Sequence, residues 1–93
     1  MTREAKRTAD HKTIREWAET RKGKPAAVRG TGQDREPGVL RIDFPGYRGA
    51  QTLQHISWDE FFEKFDKEKL EFLYQDKTAS GKTSRFCKLI NRE

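Results

Sequence analysis

The chain reads as a small single-domain α+β protein, with the element order α-β-β-α-β-β, and three observations predict it. Two segments combine a capping signal with apolar residues at helical spacing, one around Ile14 to Ala18 and one from Trp58 to Phe65. Three others alternate apolar and polar residues with a period of two, the mark of half-buried strands. The last two of these are joined by a short linker containing Gly81, which makes them a hairpin. Hairpin-linked strands give an antiparallel or mixed sheet, and two amphipathic helices packed on one face of it complete the architecture.

Residues 1–10 are polar and basic, with Arg3, Lys6 and Arg7, and read as a flexible tail before a domain spanning 11–93. Thr13 and Glu16 have capping-box spacing, and Ile14, Trp17 and Ala18 form the i, i+3, i+4 stripe of a short helix. Gly23 fits as its stop, with Pro25 just beyond. Pro25 to Val28 suits a short edge strand, where a proline costs no ladder bond. Gly30 to Gly38 is a loop rich in glycine and polar residues. Val39 to Phe44 then places Leu40, Ile42 and Phe44 on one face, until Pro45 and Gly46 end the strand.

Tyr47 to His55 reads as a connector. The clearest signal in the chain follows it. Ser57 and Glu60 form a capping box, Ile56 and Phe61 occupy the flanking staple positions, and Trp58, Phe61, Phe62 and Phe65 make one apolar helical face. Leu70 to Gln75 and Thr83 to Ile90 are the hairpin strands, joined by Asp76 to Lys82. The expected core gathers Ile14, Trp17, Phe61, Phe62 and Phe65 against Leu40, Ile42, Phe44, Phe72 and Phe86. No repeat is visible at the spacing of solenoids.

Composition bounds the function. The chain has 93 residues, of which 32% are hydrophobic and 38% charged, a polar balance offset by ten aromatic residues that bury large areas each. A single cysteine, Cys87, rules out an internal disulfide and a multi-cysteine zinc site, and suits a reducing cytoplasm. No apolar run reaches the length of a membrane span, so no membrane partner is expected. The net charge of +5 is unevenly laid out: residues 1–36 carry +4, residues 37–76 carry −3 and residues 77–93 carry +4. Basic ends around an acidic middle either attract a polyanion or pair with the middle.

Several motifs fail on inspection. Gly81-Lys82-Thr83 after a strand resembles the end of a phosphate-binding loop, but Asp76 stands where its first glycine should be. Too few residues follow Thr83 for the helix that such a loop requires. Gly30-Thr31-Gly32 lacks the third glycine of a dinucleotide fingerprint, Arg35 taking that place. His11, His55 and Cys87 lack metal-ligand spacing, and no cofactor is expected. Asp59 and Glu60 sit in a first helical turn, where they complement the helix dipole. No catalytic residue emerges.

The basic C-terminal segment is the expected binding surface. Lys77, Lys82, Arg85, Lys88 and Arg92 cluster there with Tyr74 and Phe86 interleaved; cations neutralise phosphate, and exposed aromatics stack on unpaired bases. A solvated edge whose cations deter sheet-to-sheet aggregation is the competing explanation. The expected function is therefore a non-catalytic binding module, with nucleic acid as ligand of the hairpin and N-terminal tail. The alternative is a protein-interaction or regulatory accessory domain, which an exposed Trp58 or Phe62 would favour. A small enzyme would need a pocket near His55, Asp43 and Glu60.

Read together, His11 to Glu19, Gly38 to Gly46, Ile56 to Phe65 and Phe72 to Asp76 resemble a family of short, uncharacterised bacterial proteins, some bearing a glucan-branching-enzyme label. The barrel of a polysaccharide-processing enzyme needs about 250 residues, so that label cannot describe this chain. The resemblance implies one bacterial cytoplasmic domain and brings no catalytic residues.

Overall fold

The computed structural model describes residues 5–32, 38–47, 49–78 and 80–92. The fold is α+β, with two helices and two three-stranded antiparallel sheets: β1 (Lys6–Thr8), α1 (His11–Thr20), β2 (Lys24–Val28), β3 (Leu40–Asp43), β4 (Leu53–His55), α2 (Trp58–Lys67), β5 (Leu70–Tyr74) and β6 (Cys87–Asn91). A 3-10 turn at Ala50–Thr52 leads into β4. The sheets have the orders β1-β5-β6 and β3-β2-β4.

Two strands come from segments expected to have no regular structure. Lys6–Thr8, read as part of a tail, pairs with β5, setting Lys6 opposite Tyr74 and Thr8 opposite Phe72. Residues 1–4 of that tail lie outside the described residues. Within the connector, Leu53–His55 pairs with β2, setting Leu53 opposite Val28 and His55 opposite Ala26.

With these strands added, the chain is β-α-β-β twice over, and each unit lends its first strand to the other unit's sheet. The correspondence extends to the helix ends. Each helix is followed by a lysine in the left-handed region, Lys22 at φ 60° and Lys69 at φ 53°.

Pro25 lies in a central strand, a correction to its expected edge position. Val28 N–H bonds to Val39 O on the β3 side, and Arg29 N–H bonds to Thr52 O on the β4 side. Alternation therefore points the missing Pro25 donor towards β4, level with Ile56, where β4 has already ended. One bond is lost at a strand terminus and none in the ladder interior.

The α1 cap is Asp10, three residues before the expected Thr13. Asp10 Oδ2 accepts from the Thr13 backbone N–H at 2.9 Å and from its hydroxyl at 2.6 Å. These bonds, the hydroxyl first, hold the Asp10 carboxyl below its ordinary range. The cap is consequently in place above the usual aspartate pKa and is lost as pH falls through the lowered one. At the other end, Gly23 N–H bonds back to Ala18 O at 2.8 Å. The left-handed residue is Lys22, and Gly23 is needed for close approach. A Cβ there would stand 2.7 Å from Ile42 Cγ2 and 3.0 Å from Phe44 Cε1. Replacing Gly23 with alanine is expected to destabilise by about 1–3 kcal/mol, the usual cost of overpacking, read as a lower denaturation midpoint.

In α2 the reading from sequence holds. Ser57 Oγ accepts from Glu60 N–H at 3.0 Å, and Glu60 Oε1 accepts from Ser57 N–H at 3.3 Å, closing the capping box. Phe61, Phe62 and Phe65 are buried and meet Ile14, Trp17 and Ala18 of α1 and Leu40 and Phe72 of the sheets. Ile42, Phe44, Leu70, Tyr74, Cys87 and Leu89 pack around this cluster. Phe86, expected in the core, is 48% exposed. It pairs with Gln75 outside the strand and shares the face of Lys88, while Cys87 and Leu89 point inward.

Candidate functional site

Beside the outer strands β3 and β6 lies a cleft of about 480 Å³, a size within the range of small-ligand pockets. Its floor is apolar, with Leu40 and Ile42 from β3 and Phe44 just after it, together with Phe72, Cys87 and Leu89. Its polar wall is cationic: Arg41, Arg85 and Lys88 line it, together with Tyr47, and among the described residues no aspartate or glutamate does.

Local chemistry places these groups. Arg21 anchors the base of the hairpin to α1, donating to Ser84 O, to Trp17 O at 3.0 Å and to Asp76 O at 2.9 Å, with its guanidinium 4.2 Å from the Trp17 ring. Trp17 Nε1–H adds a bond to Gln75 O at 3.2 Å. Ser84 is thereby buried, its hydroxyl donating to Gln75 Oε1 and accepting from Phe86 N–H. With Ser84 fixed inward, Arg85 reaches across to donate to Pro45 O at 3.2 Å, 5.7 Å from the Phe44 ring centre. Tyr47 follows the Pro45-Gly46 turn and lies over Gly49, where a Cβ would come within 2.6 Å of its hydroxyl.

Internal pairing, one of the two patterns that the sequence allowed, accounts for part of the charge layout. Part of the basic ends pairs with the acidic middle: Lys6 with Asp76 at 2.7 Å, Arg7 with Glu71 at 3.8 Å and Arg92 with Asp66 at 3.9 Å. Among the described residues, Arg41, Lys77, Lys82, Arg85 and Lys88 have no such ion pair. Charge is thus neutralised along β1 and retained around the cleft and the hairpin tip.

The six residues singled out from sequence separate accordingly. Arg85 and Lys88 line the cleft. Lys77 sits at the bridge to Thr83, and Lys82 accepts at its carbonyl from Thr78 N–H in the turn that Gly81 makes at φ 86°. Arg92 follows the far end of β6, donating to Leu70 O and lying 5.8 Å from the Phe65 ring centre. Tyr74 is half-buried, stacked on Phe72 at 5.7 Å and edge-on to Trp17. Sequence reasoning missed Arg41 and Tyr47, which flank the β3 strand end forty residues away from the hairpin cluster. It did register the aromatic interleaving of Phe86, while placing that ring inside.

The other candidates are engaged elsewhere. His11 stacks on Phe62 at 4.1 Å and meets Asp66 at 3.0 Å; His55 meets Asp43 at 2.6 Å. Glu60 closes the helix cap, and none of His55, Asp43 and Glu60 lines the cleft. Trp58 is half-buried and stacked on Phe62 at 5.4 Å. Among the described residues no group of three His, Cys, Asp or Glu converges on a cation position, and no helix is long and apolar enough to cross a membrane.

Burial pushes the Cys87 thiol up to about 11, against the opposing pull of Arg41 and Arg21. Its pKa is thus raised above the unfolded value of 9.0, so its contribution to stability is intact below pH 9 and is lost as pH rises through 11. At pH 8 the thiolate fraction is lower than that of a free cysteine by a factor of about 100, and alkylation by iodoacetamide should be slower to match. A rate equal to that of the urea-unfolded chain would contradict the burial.

No family model, curated protein or solved structure matches the chain.

Proposed function

We propose that the chain is a non-catalytic binding module of the bacterial cytoplasm whose ligand is nucleic acid. The observation that carries this reading is the convergence of Arg41, Arg85 and Lys88 on a cleft with no carboxylate among its described lining residues. Cations held outside ion pairs keep a field that an anionic chain can use, and phosphate neutralisation releases counterions. Lys77 and Lys82 extend the same charge to the hairpin tip. The N-terminal segment belongs to the same surface, with Lys6 and Arg7 partly offset by their pairing with Asp76 and Glu71.

The experiment is a titration of fluorescent oligonucleotides against salt. Five contacted phosphates give a slope of log K on log salt of about −3.5 for single strands and −4.5 for duplex, so affinity falls roughly 100-fold or more between 50 and 200 mM. Absence of binding at the low salt, or binding indifferent to salt, would sink the proposal. The alternative, a protein-interaction module, draws on the outer strands β3 and β6, each of which has one ladder edge without a partner strand among the described residues.

A further inference from the structure

We infer that the ligand is single-stranded, with one unpaired base entering the cleft beside Phe44 and Tyr47 and a neighbouring base stacking on Phe86. The inference rests on the nucleic-acid reading above and narrows it.

Exposed aromatics are the first argument. Tyr47 is 55% exposed and Phe86 48%, and with Val39 they are the exposed large hydrophobics among the described residues. Tyr47 lines the cleft. Phe86 stands between Arg85 and Cys87, which both line it, and its ring is exposed, two residues before Lys88. Tyr47 thus shares the cleft lining with Arg41, Arg85 and Lys88, and Phe86 lies in the chain between Arg85 and Lys88, a combination that can hold a base by its face and its phosphate by charge. A duplex hides the faces of its bases and cannot use such rings.

Shape is the second argument. A duplex is read by an element that protrudes into a groove, most often a helix. Here the helices are poorly charged for that task. On α1, Lys12 and Arg15 are taken up by Glu16 and Glu19, and the outer face of α2 carries Asp59, Glu63 and Asp66. The concave feature of about 480 Å³ is instead sized for a single nucleotide. The one duplex-like device is the β5–β6 hairpin with Lys77 and Lys82, a two-stranded ribbon.

The test compares three fluorescent ligands at one salt concentration: an oligonucleotide, its duplex, and an abasic strand of equal length and charge. The intact strand is expected to bind about 10- to 100-fold tighter than the abasic strand. It is also expected to bind more tightly than the duplex. The variants Tyr47→Ala and Phe86→Ala, their folding checked by circular dichroism, should bring intact-strand binding towards the abasic value and leave abasic binding unchanged. Equal binding of intact and abasic strands, or preference for duplex, would overturn the inference while leaving nucleic-acid binding in place. Binding of none of the three would overturn the parent reading itself.

Discussion

Reversing two cleft charges, Arg41→Glu with Lys88→Glu, is expected to lower affinity for a single-stranded oligonucleotide by about 25-fold at 0.1 M salt from lost counterion release alone. Two contacts removed from a single strand also reduce the salt slope by about 1.4, and the introduced carboxylates repel phosphate further. Both side chains are exposed, and neither is in an ion pair among the described residues, so the fold has little stake in them. Arg85 is left intact because its bond to Pro45 O holds two segments together. Fluorescence anisotropy at several salt concentrations measures both quantities. The same reversal at Lys12 and Arg15 serves as control: those residues lie on the mixed-charge face of α1, and affinity there should change by no more than the general loss of net charge.

Phe61→Ala is expected to cost about 3–5 kcal/mol, a large share of the roughly 5–14 kcal/mol available to a domain of this length. Phe61 is fully buried and sits at the centre of the aromatic cluster, 5.3 Å from the rings of Trp58 and Phe62 and 6.2 Å from that of Phe65. Its loss leaves a cavity in the cluster that joins both helices to both sheets. Phe86→Ala makes the matched comparison. The same chemical change at a ring 48% exposed should shift stability by about 0.5 kcal/mol or less, since surface substitutions away from special features do little. Urea denaturation of the two variants reads the difference directly. Stability and binding thus separate onto two phenylalanines that look alike in the sequence.

That likeness shows where sequence is legible and where it is not. The α2 helix was readable because its cap, staple and apolar face lie within ten consecutive residues, and each signal is local. β4 has only Leu53, Gln54 and His55, and nothing in them favours a strand until β2 supplies the ladder. β1 is the same case: Lys6-Arg7-Thr8 is polar throughout and becomes a strand because β5 offers an edge. The exchange of first strands between the two β-α-β-β units rests on these two segments, which is why the repeat could not be seen beforehand. At α1, Asp10 and Thr13 are both capping residues, and the earlier one prevails because its carboxylate satisfies the Thr13 N–H and hydroxyl together.

Phe86 failed for a different reason. Alternation fixes which residues share a face but not which face is inside. Lys88 lies two positions on, and a cation on the Phe86 face was the available sign that the face is exposed. The cleft itself joins Arg41 to Arg85 and Lys88 across more than forty residues, so the sequence displayed its C-terminal half alone. Tyr74 suggests a stacking role as an aromatic in a basic segment, while the partners the sequence did not display, Phe72 and Trp17, meet its half-buried ring through the pairing of β5 with β1 and β6.

The central claim is that the cationic cleft beside β3 and β6 is the face that binds nucleic acid. Backbone amide chemical shifts of the uniformly labelled protein, followed while a short single-stranded oligonucleotide is added, test it most directly. The account predicts progressive shifts concentrated at residues 40–47 and 85–89, with the exposed face of α1 unmoved. Shifts centred on α1 or α2 with the cleft silent, or no shifts at low salt, would contradict it.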